Sequence, residues 1–148
     1  MCIEQLKNLL NKNKLLPPSP LINISHTEVL TKLRSELGQD CKIYLSDHNY
    51  QTTNLSELTR FLTYDNTDKY VYKSEYLDCD DFSYRLHGQL SIPGWSGLVF
   101  GILWIYTGTG GHAVNIFMDT ETTIWIVEPQ SDKIFRIPLD WTPWVAMI

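Results

Sequence analysis

Cysteine, basic charge and long apolar runs are all scarce in this chain of 148 residues. The three cysteines, Cys2, Cys41 and Cys79, are an odd number at wide spacing with no CxxC pair. That excludes a disulfide framework and a zinc knuckle, and points to free thiols in a reducing compartment. Twelve Lys+Arg stand against seventeen Asp+Glu, a net charge of −5. A binder of nucleic acid needs a basic face to neutralise phosphates, so no nucleic-acid partner is expected, and a divalent cation suits the charge better. The opening MCIEQLKNLL carries Glu4, Gln5 and Lys7, which break the apolar core a signal peptide requires. The most apolar later stretch, 98–106, contains Gly101 and falls well short of the roughly 20 residues that span a bilayer. No membrane partner and a cytoplasmic location are expected, and no internal repeat is present.

What the chain does have is an ordinary globular balance, 43% hydrophobic and 20% charged, enough for a single domain over 1–148. Charge is uneven. Residues 47–81 hold eight acids against three bases, whereas all five tryptophans follow residue 94. Leu6, Leu9 and Leu10 recur at helical spacing until the prolines at 17, 18 and 20. Val29, Leu30, Leu33 and Leu37 predict a second helix, capped by Ser25 or Thr27 and closed by Gly38. CKIYL at 41–45 alternates like a strand. A third helix is expected around Leu55, Leu58, Phe61 and Leu62, and a fourth through Phe82, Leu86 and Leu90, with Asp78 as its N-cap and Pro93–Gly94 as its stop.

After Pro93 the apolar period changes from 3.6 to 2. Segments 98–106, 111–118, 123–128 and 133–137 predict an antiparallel meander. The expected class is therefore α+β, with a helical part over about 1–93 packed on a sheet part over about 94–148.

Cys79 is the cysteine with chemistry around it. In the first turn of a capped helix, unpaired N–H groups and the helix dipole favour a thiolate. Asp78, Asp80 and Asp81 oppose that by like charge, so a cation is needed, either an imidazolium or a metal ion. His112 follows the glycine-rich TGTGG and opens the strand HAVNIFM at a sheet edge. If the 111–118 and 123–128 strands pair so that residue numbers sum to 240, His112 stands opposite Glu128, and apolar partners match along the ladder. A carboxylate beside an imidazole orients the ring and fixes its tautomer. Cys79, His112 and Glu128 then fill the roles of nucleophile, base and orienter. Asn115 is excluded from the third role because it points to the opposite face of its strand.

The segments LDCDDF (77–82), GGHAVNIF (110–117) and IWIVEPQSDKI (124–134) together resemble papain-like and transglutaminase-like cysteine peptidases, over about residues 72–137. The EPQ after the histidine hairpin is most similar to the cysteine-peptidase domain attached to the Marasmius mushroom agglutinin. This resemblance implies a papain-like fold and a thiol hydrolase, a peptidase or amidase, working through an acyl-enzyme on a peptide or protein substrate. Two other readings stand beside it: an inactive module binding metal or a partner, with Trp95 and Trp104 as surface, and an acyl transferase that passes the acyl group to an amine. The resemblance also implies a link to calcium. Asp80, Asp81, Glu128 and Gln130 are the expected ligands, since calcium takes six to eight oxygens. The C-x-x-C-W motif of papain-type enzymes is absent, and the D-C-S-G-F signature of cell-wall peptidases reads D-C-D-D-F. With no glutamine just upstream of Cys79, Gln51 and the Cys79 N–H are the oxyanion donors on offer.

Overall fold

The computed structural model describes residues 15–148. The helix expected around Leu6, Leu9 and Leu10, and Cys2 with it, lie outside the described residues. The first described elements are a strand and a helix that share Ser25: β1 (Ile22–Ser25) runs straight into α1 (His26–Leu37). Ser25 and Glu28 form a reciprocal capping box, and Gly38 ends the helix with a positive φ that a side chain would resist. β2 (Lys42–Tyr44), β3 (Asn49–Thr52) and α2 (Leu55–Tyr64) follow. Asn54 caps α2 by accepting the Glu57 N–H at 3.0 Å. A 3-10 turn (Thr67–Lys69) leads to α3 (Cys79–Leu90). The remaining chain is all strand: β4 (Phe100–Tyr106), β5 (Gly111–Met118), β6 (Ile124–Glu128), β7 (Lys133–Phe135) and β8 (Thr142–Met147).

Six strands form one sheet in the order β2-β8-β4-β5-β6-β7, with β2 parallel to β8 and every other pair antiparallel. β1 and β3 pair separately as an antiparallel ribbon. Both faces of the main sheet are covered. Leu103, Val114, Ile116 and Ile126 pack with Val29, Leu33 and Leu37 of α1, while Phe100, Phe117 and Val127 pack with α2 and α3. Asn115, wholly buried, fastens α3 to the sheet by donating from Nδ2 to the Ser83 and Gly101 carbonyls, each at 3.0 Å. Among the described residues no helix is long and apolar enough to cross a membrane.

The expected class is corrected here. Sheet dominates, the three α-helices are short, and they alternate with strands instead of preceding them. The helices-then-sheet division at residue 93 fails because β1, β2 and β3 precede residue 53 and β2 joins the main sheet. β2 falls inside the strand expected over 41–45, whereas β1 and β3, four residues each, are too short for an alternation to register against noise.

The strand register is corrected as well. β5 and β6 pair with residue numbers summing to 242, as in Ile116↔Ile126 and Phe117↔Trp125. The turn decides this. Asp119 Oδ1 accepts the N–H groups of Glu121 and Thr123, both at 2.9 Å, and Oδ2 accepts the Trp125 indole at 2.7 Å. A carboxylate that satisfies three donors fixes a five-residue loop and, through it, the ladder.

Candidate functional site

Cys79 and Asp80 at the start of α3, Trp104 and Ile105 of β4, Gly111, His112 and Ala113 of β5 and Trp144 of β8 line one cleft of about 110 Å³. Alternation along β5 explains its mixed lining. Ala113 shares with Asn115 the face on which α3 packs, whereas His112 belongs to the other face and meets the cleft because it lies at the strand's end.

His112 Nε2 lies 2.8 Å from Glu128 Oε2. The two are diagonal across β5 and β6, not directly opposite as the sum of 240 required, and a glutamate is long enough to span a diagonal. Glu128 Oε1 accepts the Gln130 N–H at 3.3 Å, which fixes the second oxygen. The ring is further held edge-on by Trp141, at 6.3 Å between centroids. Among the described residues, Nδ1 has no hydrogen-bond partner.

Cys79 does not have the lowered pKa expected of a helix start. Burial pushes the thiol up, Asp78 and Asp80 add to that, and the hydrogen bond from Ala113 N–H works against it. Among the described residues no hydrogen bond joins the thiol to His112. Asp78 and Asp80 face each other through a shared hydrogen bond, which holds Asp78 below the usual aspartate range and raises Asp80. Asp81 points the other way, accepting the Asp78 N–H at 3.1 Å as part of the helix cap.

The expected calcium ligands are therefore not drawn together. Asp81 closes the cap, both Glu128 oxygens are engaged, and the groups with ligand atoms within 4.8 Å of one another are Asp78, Cys79 and Asp80. Two carboxyls and a thiol do not fit a calcium ion, which takes six to eight oxygens. Gln51 donates to Asn23 Oδ1 at 3.2 Å and is not part of the cleft. Trp95 is fully buried against Phe61 and belongs to the core.

Trp104, expected at the surface in the binding-module reading, lines the cleft, whereas the Tyr106–Trp144 pair beside it was not foreseen. Tyr106 and Trp144 stack with centroids 5.6 Å apart and planes 22° apart, yet are 50% and 47% exposed. A β-bulge puts Trp144 there. Between Trp104↔Val145 and Ile105↔Pro143 the β8 strand advances two residues against one on β4, and Trp144 is the extra one. Pro143 has no N–H to give the ladder, so the break falls beside it. A proline two residues past Trp141 in the sequence was the available signal.

No protein-family model matches the chain, and no curated protein does. Solved structures do match. The PSL1a–E64 complex shares the fold with a TM-score of 0.76 at 23% identity, over 85% of this chain and 50% of that one. Polyporus squamosus lectin, bound to the human-type influenza-binding epitope Neu5Aca2-6Galb1-4GlcNAc, gives 0.73 at 23% identity, over 85% of this chain and 49% of that one. The chain thus spans about half the length of each.

These structures correct the cysteine-peptidase assignment. The fold they share with the chain is found in a lectin, and the papain-like and transglutaminase-like identification, the thiol-hydrolase activity with its alternatives and the peptide or protein substrate are set aside with it. The motifs behind the assignment cover one helix start and one hairpin, and such short arrangements recur on different folds. What the likeness at this level of identity establishes is a fold shared with half of a Polyporus squamosus lectin.

Proposed function

We propose that the chain binds a neutral, hydroxyl-rich sugar at the Tyr106–Trp144 stack. The observation that carries this reading is the half-exposed pair of parallel rings at the rim of a concave cleft. A pyranose ring has an apolar face of C–H groups that packs on an aromatic face and a rim of hydroxyls that needs hydrogen-bonding partners. Asp80 and His112 supply such partners beside the rings. The epitope bound by the Polyporus squamosus lectin, a sialylated glycan, lends support to a sugar as the ligand class. A sialic acid is anionic, however, and the acidic Asp78–Asp80 pair beside this cleft favours a neutral sugar. Calorimetry with Galβ1-4GlcNAc and with its sialylated form tests this. The neutral disaccharide should bind at least about tenfold more tightly, and Trp144→Ala should weaken it about tenfold, a difference of about 1.4 kcal/mol. Absence of binding at millimolar disaccharide, or indifference to Trp144→Ala, refutes the reading.

A second reading concerns the polar wall, and the shared lining of the cleft by Cys79 and His112 favours it. Cys79, His112 and Glu128 act in it as one reactive unit. Glu128 holds the imidazole through Nε2, Nδ1 takes the thiol proton, and the Cys79 sulfur attacks the carbon of an alkyl halide in the cleft, forming the C–S bond as the C–halogen bond breaks and halide leaves. E64, the partner in the PSL1a complex, is a suitable probe alongside iodoacetamide. Mass spectrometry at neutral pH should find Cys79 alkylated at least about fivefold faster than in His112→Ala. Equal rates in the two proteins rule the unit out.

A further inference from the structure

A second, larger cavity of about 290 Å³ lies between α3 and the sheet, walled by Leu98, Phe100, Ile102 and Met147 and edged by Tyr84 and His87. Its walls are mostly apolar, with Ser46, Asp47 and Ser96 as polar edges. His87 sits edge-on to Phe100 at 6.2 Å and has no side-chain hydrogen bond among the described residues. Burial lowers its pKa, so it is neutral at pH 7 and offers one donor and one acceptor to an uncharged group.

The two cavities are not separate places. Phe100, Ile102, Trp104 and Tyr106 alternate onto one face of β4, the face on which α3 packs. Ile102 and Phe100 line the larger cavity, Trp104 lines the cleft, and Tyr106 carries the stack at its rim. Tyr84 bridges the two, lining the larger cavity and meeting Trp104 edge-on at 5.9 Å. From Ile102 to Tyr106 the strand advances about 13 Å. A molecule that spans this track meets the exposed stacked rings with Asp80 and His112 at one end, and a mostly apolar pocket edged by His87, Asp47 and Ser96 at the other. Such a sequence of surroundings matches a molecule with a sugar head and an apolar body, and is wasted on a free sugar, whose hydroxyls gain nothing from Phe100 and Met147.

We propose that the larger cavity receives the apolar aglycone of a neutral glycoside whose sugar stacks on Tyr106 and Trp144. This rests on the sugar-binding reading above and names the class of ligand for it. Methyl β-D-galactoside and 4-nitrophenyl β-D-galactoside share the sugar and differ in the aglycone, so calorimetry with the pair isolates the cavity. The aryl galactoside should bind at least about tenfold more tightly. Met147→Asp, at a residue 45% exposed, should erase that advantage while leaving the methyl galactoside unaffected, because the new charge lies in the aglycone wall. Tyr84→Ala, also on the surface, provides a second variant with the same expected loss. Equal affinity for the two galactosides, or an advantage that survives both variants, overturns the proposal and leaves sugar binding intact. Failure of both galactosides to bind the unmodified protein overturns the sugar-binding reading, and this proposal with it.

Discussion

Asp132 is the residue whose environment most opposes its charge. It ends the turn after β6 with a φ of 56°, and its Oδ1 is buried without a hydrogen-bond partner among the described residues. Burial, with Asp68 and Asp65 nearby, raises its pKa to about 6. The folded state therefore holds the proton more tightly than the unfolded chain, where an aspartate titrates near about 3.9. Stability from this group is fully present below about pH 4 and is lost as the pH rises through about 6. An asparagine in its place would carry no charge and would tolerate the left-handed backbone. Asp132→Asn should accordingly raise the melting temperature at pH 7.5 and have little effect at pH 4. The side chain is partly solvated, so after discounting for screening the gain is about 1 kcal/mol, or about 3 °C for a domain of this size. Thermal unfolding followed at both pH values checks it, and a gain of equal size at pH 4 would assign the effect to something other than the charge. Cys79 shows the same physics at the cleft. A helix start and its dipole are legible in LDCDDF, whereas the burial that outweighs them is set by β4 and β5.

At the scale of elements, the sequence is legible wherever a run is long or a cap is explicit. Ser25 with Glu28, Asn54, and Val29, Leu33 and Leu37 at helical spacing specify α1 and the start of α2 locally, and the structure has those helices there. The four segments expected as a meander are β4 to β7, because each alternates for long enough, or lies between clear enough turns, to show its period. β1, β3 and β8 were not foreseen. INIS and NYQT are four residues each and pair with one another, with one further parallel bridge from Gln51 to Leu98, and TPWVAM contains a proline that argues against a strand. β8 is a strand nonetheless, because its neighbours β2 and β4 supply the partners and the bulge absorbs Pro143. The register of β5 on β6 followed from apolar matching only to an even sum. The choice between 240 and 242 lies in the three donors that meet Asp119, and its side-chain contacts are not a matter of period. Glu128 still reaches His112, so this pairing was found through a wrong register and a side chain long enough to correct it. The Tyr106–Trp144 stack had no such luck, since it exists only once β8 is placed.

The molecule as a whole depends on how closely β8 can approach β4, because β8 carries Trp144 and Met147 and is the strand through which β2 joins the sheet. Gly101 sets that approach. A Cβ there would stand 2.0 Å from the Met147 carbonyl oxygen and 2.9 Å from the Ile148 Cα, both backbone atoms that cannot swing aside. The sheet can accept a side chain at this position only by moving β8 outward, with loss of the Ile102↔Met147 and Leu103↔Ala146 pairings next to it. Gly88 is the opposite case. It lies inside α3, and a Cβ there meets nothing within 4 Å. Gly101→Ala should therefore destabilise by more than about 3 kcal/mol, the scale of overpacking into an unyielding site. Gly88→Ala should stabilise by about 0.5–1 kcal/mol, through helix propensity and a less flexible unfolded chain. Urea unfolding of the two variants gives the energies. The whole-molecule claim adds a condition on binding. At a temperature where Gly101→Ala is still folded it should have lost galactoside affinity, because both the stacking ring and the aglycone wall ride on β8, whereas Gly88→Ala should bind as the unmodified protein does. Retention of full affinity by a folded Gly101→Ala protein would mean that β8 tolerates displacement and that the cleft is built without its close contact with β4.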